Sequence, residues 1–415
     1  MTSLSSWLEE KLLQLNVTDK MELPAGFSRL SYTKEEKDAH IQFEKVATEL
    51  GLHVHQDAAG NMWALWKVDD LAPTIALGSH LDTVDSGGGY DGTAGVLTAL
   101  AAIRELQASK FEPTKNIAVI CFISEESARF GVSTIGSKAI SEILDKQELA
   151  AIKDRDGISI EQAITAYGIN FNTIDQAAVP AEKLESFMEL HIEQGMELEN
   201  AGASIGIVKG IACPVRLKVT AKGMANHTGT TPMYRRKDAF AAIAPLVTFV
   251  QEEALKVNEH SEHPLVATVS TIRLKPNVMN VIPGEVELGI DIRSVDDRLK
   301  RNFAENVKSY CMESATKAAV EIEVATLVDN DSVMLDDAMH DKLLKASESI
   351  GYKSLSMNSG AGHDVMNMAS KWPAGLIFIP CKDGISHHPS EYTSIENLEN
   401  GTKVIAEFLK REMEE

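Results

Sequence analysis

Short apolar runs alternate with helical stretches through the first half of this chain, and each run ends in a polar cluster. Residues 74–78 are one such run and lead into Ser79-His80-Leu81-Asp82. Residues 116–123 close in Ser124-Glu125-Glu126, and residues 187–192 carry His191 and end at Glu193. Between them, residues 34–50 show an apolar stripe at helical spacing (Ile41, Phe43, Val46, Ala47, Leu50), and residues 95–106 and 136–144 also read as helices. Two further strands are expected over 52–56 and 61–67, separated by the turn sequence Asp57-Ala58-Ala59-Gly60. Runs that are apolar at every position are buried on both faces. The pattern therefore predicts an α/β fold, a mixed but mostly parallel sheet covered by helices. In such sheets ligands gather at the carboxyl ends of strands, where these polar clusters lie.

The second half reads differently. Strands are expected over 215–220, 265–274, 285–293 and 320–327, with helices over 238–255 and 297–318. That β-α-β-β-α-β order is the split βαβ unit of small two-layer, ferredoxin-like domains. A helix over 336–350, a strand over 375–379 and a closing helix over 395–413 return to the first pattern. A chain of 415 residues has room for two domains. The expected division is a discontinuous larger domain, 1–212 and 329–415, with an inserted domain at 213–328. A hinge is expected where the chain crosses, near 210–214 and 329–331.

Composition narrows the function classes. The 61 acids outnumber the 40 Lys and Arg, leaving a net charge of −21 that would repel phosphate backbones and anionic lipid. Neither a nucleic-acid nor a membrane partner is expected, and no stretch approaches the ~18 to 20 apolar residues that span a bilayer. The amino terminus mixes acids among apolar residues at helical spacing and reads as a first helix rather than a leader. Four isolated cysteines (Cys121, Cys213, Cys311, Cys381), each within an apolar run, fit inert thiols in a reducing cytoplasm. Two patterns mislead. Gly87 to Gly92 matches the dinucleotide fingerprint GxGxxG, but carries Asp91 where a pyrophosphate would approach. Gly202 to Gly206 matches the nucleophile pattern GxSxG, but precedes a β-rich run rather than a helix. The first is not expected to bind a nucleotide, and the second is expected to be a plain turn.

The polar clusters carry imidazole and carboxylate: His80 with Asp82, Asp91, Glu125 with Glu126, His191, and His387 with His388. Such mixed donors suit zinc, manganese or cobalt, and cations would offset the cost of gathering several acids in one crevice. Asp91 can offer one oxygen to each of two cations. Adjacent Glu125 and Glu126 point to opposite sides if extended, so one can bind metal while the other moves a proton. Taken singly, each cluster has an ordinary alternative: a histidine is usually hydrogen-bonded and a Glu-Glu pair usually solvated. His40, His53, His55, His260, His263 and His340 are read that way.

These residues also stand in recognisable strings. Gly78-Ser79-His80-Leu81-Asp82-Thr83-Val84, the Gly87 to Gly92 loop and Glu125-Glu126 resemble the M20 metallopeptidase superfamily. Glu189 to Gly195, His227-Thr228-Gly229-Thr230-Thr231-Pro232-Met233, Ser359 to Asp364 and Gly384 to Glu391 resemble its amidase, hydantoinase and carbamoylase branch. The resemblance implies that His80, Asp91 and His191 hold one metal and that Asp91, Glu126 and His387 hold a second. It makes Glu125 the general base and Asp82 the residue that orients His80. His388 stands where the pattern often has Ser and is either a competitor for the metal or a spectator. The inserted domain becomes a lid and homodimer interface, with His227 stabilising the oxyanion in the partner's site. Asn280 and Arg293 match substrate-binding lid residues, Arg293 as a clamp for an α-carboxylate, and Gln194 and Gly362 join them. On residues alone, Arg293 reads as half of a strand-face ion pair and Asn280 as turn chemistry. Ser127-Ala128-Arg129-Phe130 after the paired glutamates and Asn226 before His227 depart from the pattern and bear only on substrate choice.

The implied activity is that of a hydrolase acting on carbon–nitrogen bonds other than peptide bonds. It uses two divalent ions, zinc foremost, then manganese, cobalt or nickel. The expected substrate is a small ureido or amide compound with a carboxylate, foremost an N-carbamoyl-L-amino acid, giving amino acid, carbon dioxide and ammonia. Allantoate is the near rival. An aminoacylase or dipeptidase, and a ligand-binding relative without catalysis, are the further alternatives.

Overall fold

The computed structural model describes residues 2–414; Met1 and Glu415, the outer limits of the expected larger domain, lie outside them. The chain divides into two compact units. One comprises Met1–Lys209, Leu335–Ser359 and His363–Glu415; the other comprises Gly210–Met334 with Gly360–Gly362.

The larger unit is built on strands β1 (His53–Gln56), β2 (Met62–Trp66), β3 (Thr74–His80), β4 (Asn116–Phe122), β5 (Leu184–Ile192) and β6 (Ile205–Ile211). The strands β7 (Pro214–Lys222), β8 (Val266–Lys275), β9 (Glu285–Arg293) and β10 (Glu321–Asp329) follow. The last three are β11 (Val333–Met334), β12 (Ser354–Ser359) and β13 (Ala374–Ile379). The larger sheet runs β1-β2-β4-β3-β5-β13-β6-β11, with β12 beside β6. Its four central strands, β4, β3, β5 and β13, are mutually parallel, while β2 and β6 flank them antiparallel. The fold is thus the mixed, largely parallel α/β sheet the periodicity predicts. β4 and β13 are buried at every residue, as expected for strands covered on both faces. The helix Thr93–Ala108 is apolar nearly all round because 13 of its residues are buried, packing with Leu4–Leu15 and Ile395–Glu414.

The smaller unit has a four-stranded antiparallel sheet in the order β10-β7-β9-β8. The helices Pro245–Asn258 and Asp297–Ala318 cover it, so it has the ferredoxin-like arrangement. Its own core gathers Val215, Leu217, Val219, Leu288, Ile290, Phe303 and Val307. The single helix expected over 238–255 is two, Ala239–Ile243 and Pro245–Asn258. Pro245 has no N–H to donate to residue 241 and begins a new helix instead. The helix expected over 136–144 is only Ile135–Ile140, and the helices Lys146–Ala151 and Ile160–Tyr167 were not foreseen.

Candidate active site

His80 is the last residue of β3, and His191 is the last but one of β5. Glu125 and Glu126 lie just beyond β4, and His387 lies in the loop beyond β13. Because those four strands are neighbours and parallel, residues far apart in sequence meet at one edge. Asp91 joins them from the loop before the helix Thr93–Ala108. Gly92 there has φ +63° and places its Cα so close to His80 that an added Cβ would lie 2.5 Å from the imidazole. Both facts require glycine.

Asp91 faces imidazoles with both oxygens. Its Oδ1 lies 2.9 Å from His191 Nε2 and 3.4 Å from His80 Nε2, and its Oδ2 lies 3.2 Å from His387 Nε2. Glu126 Oε1 is 3.4 Å from the same His387 nitrogen. Two sets of potential ligand atoms result, His80-Asp91-His191 and Asp91-Glu126-His387, each with all members within 4.8 Å. In the first set the tautomers are fixed by the backbone. His80 Nδ1 is 3.0 Å from Asp82 O and His191 Nδ1 is 2.8 Å from Ile192 O; a carbonyl can only accept, so each Nδ1 carries hydrogen when the ring is neutral. That leaves Nε2 free to ligate. The donor chemistry, the clustering and the oriented imidazoles fit two divalent cations.

Glu125 belongs to neither set. Its Oε2 is 3.8 Å from His80 Nε2. Asp82 ties it down from behind: Oδ1 accepts the Glu125 N–H at 3.0 Å, while Oδ2 accepts the Glu126 N–H at 2.9 Å and the Ser31 hydroxyl at 3.2 Å. Asp82 thus fixes the two glutamates as well as approaching His80.

The electrostatics follow burial and crowding. Burial raises the Glu125 carboxyl well above its ordinary range; His80 opposes this, and Glu126 adds to it. Burial, with Asp91 beside it, pushes Glu126 up to about 7. Burial also acts to raise Asp91, but His191, His387 and His80 overcome it and hold this carboxyl well below its usual range. A hydrogen bond to Asp91 lifts His387 to about 9 against the effect of burial. Ser124, Gln194 and His387 are non-glycine residues at φ +55°, +57° and +56°, a strained conformation that recurs at functional sites.

The remaining expected residues fall into two groups. Gln194 donates to Asp91 Oδ2 (2.8 Å) and Ser386 Oγ (3.0 Å), at the edge of the second set. His388 is outside both sets; its Nδ1 accepts the Ser390 N–H at 3.1 Å. His363 is buried against the His191 ring, and Glu193 caps the turn at Glu197 and Leu198. In the smaller unit, His227 and Asn280 are exposed on paired turns. His227 Nδ1 accepts the Gly229 and Thr230 N–H groups (3.0 and 3.2 Å), so a neutral ring carries its hydrogen on Nε2. Arg293 makes the strand-face ion pair, Nε to Asp291 Oδ1 at 2.7 Å, and also donates from Nη1 to Gly360 O at 2.7 Å, beside Gly362.

Sequence reasoning gave no role to four buried carboxylates. Glu36 accepts the Ser124 N–H, and Glu189 accepts the Ser79 hydroxyl and the Val365 N–H. Asp364 accepts the Ser137 hydroxyl, and Glu391 lies under Asp91 and His387. A single carboxylate in a helix, strand or loop carries no signal of its own; only the fold buries it. The GxSxG pattern is a turn, with Gly202 the left-handed cap of the short helix Glu197–Ala201.

A mixed α/β sheet whose strand ends gather two His/carboxylate sets beside a spare glutamate fits a metal-dependent hydrolase. Residues 76–411 match Peptidase family M20/M25/M40, and the chain belongs to that family. It is 36% identical to an N-carbamoyl-L-amino-acid amidohydrolase of Paenarthrobacter aurescens over 386 residues, 93% of each chain. It is 33% identical to an allantoate amidohydrolase of Bacillus subtilis over 92% of each. The crystal structure of an amidase of the hydantoinase/carbamoylase family from Burkholderia multivorans superposes with a TM-score of 0.87. That pair is 30% identical, covering 99% of this chain and 97% of the other. The chain is an amidohydrolase of the type these relatives represent.

Proposed function

We propose that this chain hydrolyses the carbamoyl C–N bond of N-carbamoyl-L-amino acids. The observation that carries the reading is Asp91, which turns one oxygen to each of two ligand sets while Glu125 stands beside them uncommitted. His80, Asp91 and His191 would hold one divalent cation and Asp91, Glu126 and His387 the other, zinc foremost, then manganese, cobalt or nickel. Bound there, the cations supply Lewis acidity that acidifies a water and polarises a carbonyl.

The chain's own residues do the rest. Glu125 accepts the proton of the attacking water at a carboxylate oxygen and returns it to the departing amine. Burial raises this carboxyl, which favours its holding the proton until the amine departs. One water is consumed: the substrate gives the amino acid and carbamic acid, which falls apart to carbon dioxide and ammonia. Asp82 holds Glu125 in place through its backbone N–H. His227, with hydrogen on Nε2, donates to the oxyanion. Arg293 keeps N–H groups beyond those given to Asp291 and Gly360, which suits an α-carboxylate; Asn280, Gln194 and Gly362 are assigned to substrate binding with it. The smaller unit is assigned as lid and homodimer interface, supported by β8, an edge strand with Val266 and Ile272 exposed. The four buried free thiols fit a cytoplasmic enzyme.

Ammonia release from zinc- or manganese-loaded protein tests the reading. The panel is N-carbamoyl-L-amino acids, allantoate, N-acetyl-amino acids and a dipeptide, with a chelator and Glu125→Gln as controls. Ammonia from carbamoyl compounds is the expected result. Ammonia from allantoate alone would assign the chain to the Bacillus relative's reaction. Free amino acid from the acyl compounds alone would make it an aminoacylase or dipeptidase, and silence with both cations bound would make it a binding protein.

A further inference from the structure

The two ligand sets are held in different ways. His80 and His191 sit within parallel strands, with each Nδ1 against a backbone carbonyl. Asp91 and His387 come from two loops 296 positions apart, and one side chain joins those loops. Glu391, only 5% exposed, accepts four hydrogen bonds. Its Oε1 takes the N–H groups of Tyr90 and Asp91, both at 2.9 Å. Its Oε2 takes the Ser386 hydroxyl at 2.8 Å and the His387 N–H at 3.3 Å. Ser386 Oγ in turn lies 3.0 Å from Asp91 Oδ2. One loop has made room for this carboxylate: a Cβ on Gly88 would fall 2.2 Å from Glu391 Oε1.

We propose that Glu391 is a positioning residue that builds the Asp91-Glu126-His387 cation site by fixing the Asp91 loop against the His387 loop, and that the His80-Asp91-His191 site, whose two imidazoles are set by strands, depends on it less. The inference rests on the two-cation reading above. An ionised carboxylate has lone pairs for all four donors and no hydrogen of its own. A glutamine of nearly the same shape would turn an NH2 group either against the Tyr90 and Asp91 N–H groups or against the His387 N–H, where the Ser386 hydroxyl can turn and accept. His387 would feel this most, because its left-handed backbone is held from the same carboxylate. Residues that orient metal ligands typically change affinity ~10- to 100-fold when altered.

The test is titration of the full-length metal-free protein with Zn2+ alone, by calorimetry and by metal analysis after dialysis, alongside the thermal midpoint of the metal-free form. Glu391→Gln is expected to weaken one of the two sites at least about tenfold and leave the other within a factor of about two. A general loss of structure would instead lower the metal-free midpoint and weaken both sites together. Gly88→Ala, which pushes on the carboxylate from the other side, is expected to give the same one-site loss and stands in if Glu391→Gln does not fold. His387→Ala marks which site is lost. Two unchanged affinities in both variants, or equal weakening of both sites, would overturn the proposal. Wild-type protein that binds fewer than two Zn2+, or a His387→Ala variant that still binds two, would instead sink the two-cation reading.

Discussion

Most candidate chemical residues of the larger unit are packed and cross-tied, His387 being exposed, whereas His227 and Asn280 of the smaller unit stand in solvent. His80, Asp91, Glu125, Glu126 and His191 are each less than 9% exposed, and most are held through backbone groups of other loops. His227 and Asn280 are exposed; the His227 ring bonds within its own turn, and the Asn280 carbonyl accepts the Thr228 N–H of the neighbouring turn at 3.1 Å. Burial makes charge interactions strong and excludes water, which bond cleavage needs; exposure leaves groups free to meet a ligand. The contrast places the proposed proton transfer in the first region and the proposed substrate and oxyanion contacts in the second, and mutation can test that division.

The largest effect is expected at Glu125. Glu125→Gln keeps the shape and removes the proton carrier, so kcat should fall about 10³-fold or more while substrate affinity in equilibrium binding changes little. An effect on affinity alone would reverse the assignment. His227→Ala is expected to lower kcat about 10²-fold, the usual cost of an oxyanion donor. If steady-state kinetics showed only a raised KM, His227 would be a binding residue, and the exposed region would hold no part of the chemistry. Arg293→Ala should raise KM about tenfold for carboxylate substrates, with kcat changed less. A neutral substrate analogue, such as the carbamoyl amino amide, should show no such loss. Equal losses for both would point to Arg293 as support for Asp291 and the Gly360 loop instead.

The same contrast explains what was legible in the sequence. His80, Glu125, Glu126 and His191 stand at the ends of apolar runs, so the rule that binds ligands to strand ends found them without any contact being known. Asp91 and His387 were marked by the same imidazole and carboxylate chemistry, and the recognisable strings chose His387 over His388. Glu36, Glu189, Asp364 and Glu391 were not, because their burial depends on contacts 88 to 301 residues away. Local periodicity cannot show such partners. Secondary structure failed for a related reason. The short helices Lys146–Ala151 and Ile160–Tyr167 begin at the caps Asp145 and Ser159; the first buries only Leu149, and the second has an apolar stripe of two turns (Ile160, Ala163, Ile164, Tyr167). The Arg293 ion pair, by contrast, follows from two residues on one strand face, and residue-level reading anticipated it.

The smallest predicted effect concerns stability, and it too separates the regions. His40 of the larger unit is buried, shares a hydrogen bond with the Tyr167 hydroxyl at 3.2 Å, and has no partner for Nε2 among the described residues. Burial, opposed by Asp82, lowers its pKa to about 4. The unfolded chain therefore takes up a proton near pH 6.5 that the folded chain refuses until about pH 4, so this residue costs stability as pH falls between those values. From pH 6.5 to 5.5 the cost is about 1 kcal/mol, and it approaches about 3 kcal/mol by pH 4. His40→Phe removes the titrating group. Its stability relative to wild type, measured by urea unfolding, should rise by about 1 kcal/mol between pH 6.5 and 5.5, whatever its absolute value. Hydrogen exchange should place that difference in residues 34–49 and 160–167, the helices that pack around this ring, and leave β7 to β10 unchanged. A difference that does not vary with pH would mean that the folded protein accommodates the charged imidazole, and the contrast in burial would then carry no electrostatic consequence at this position.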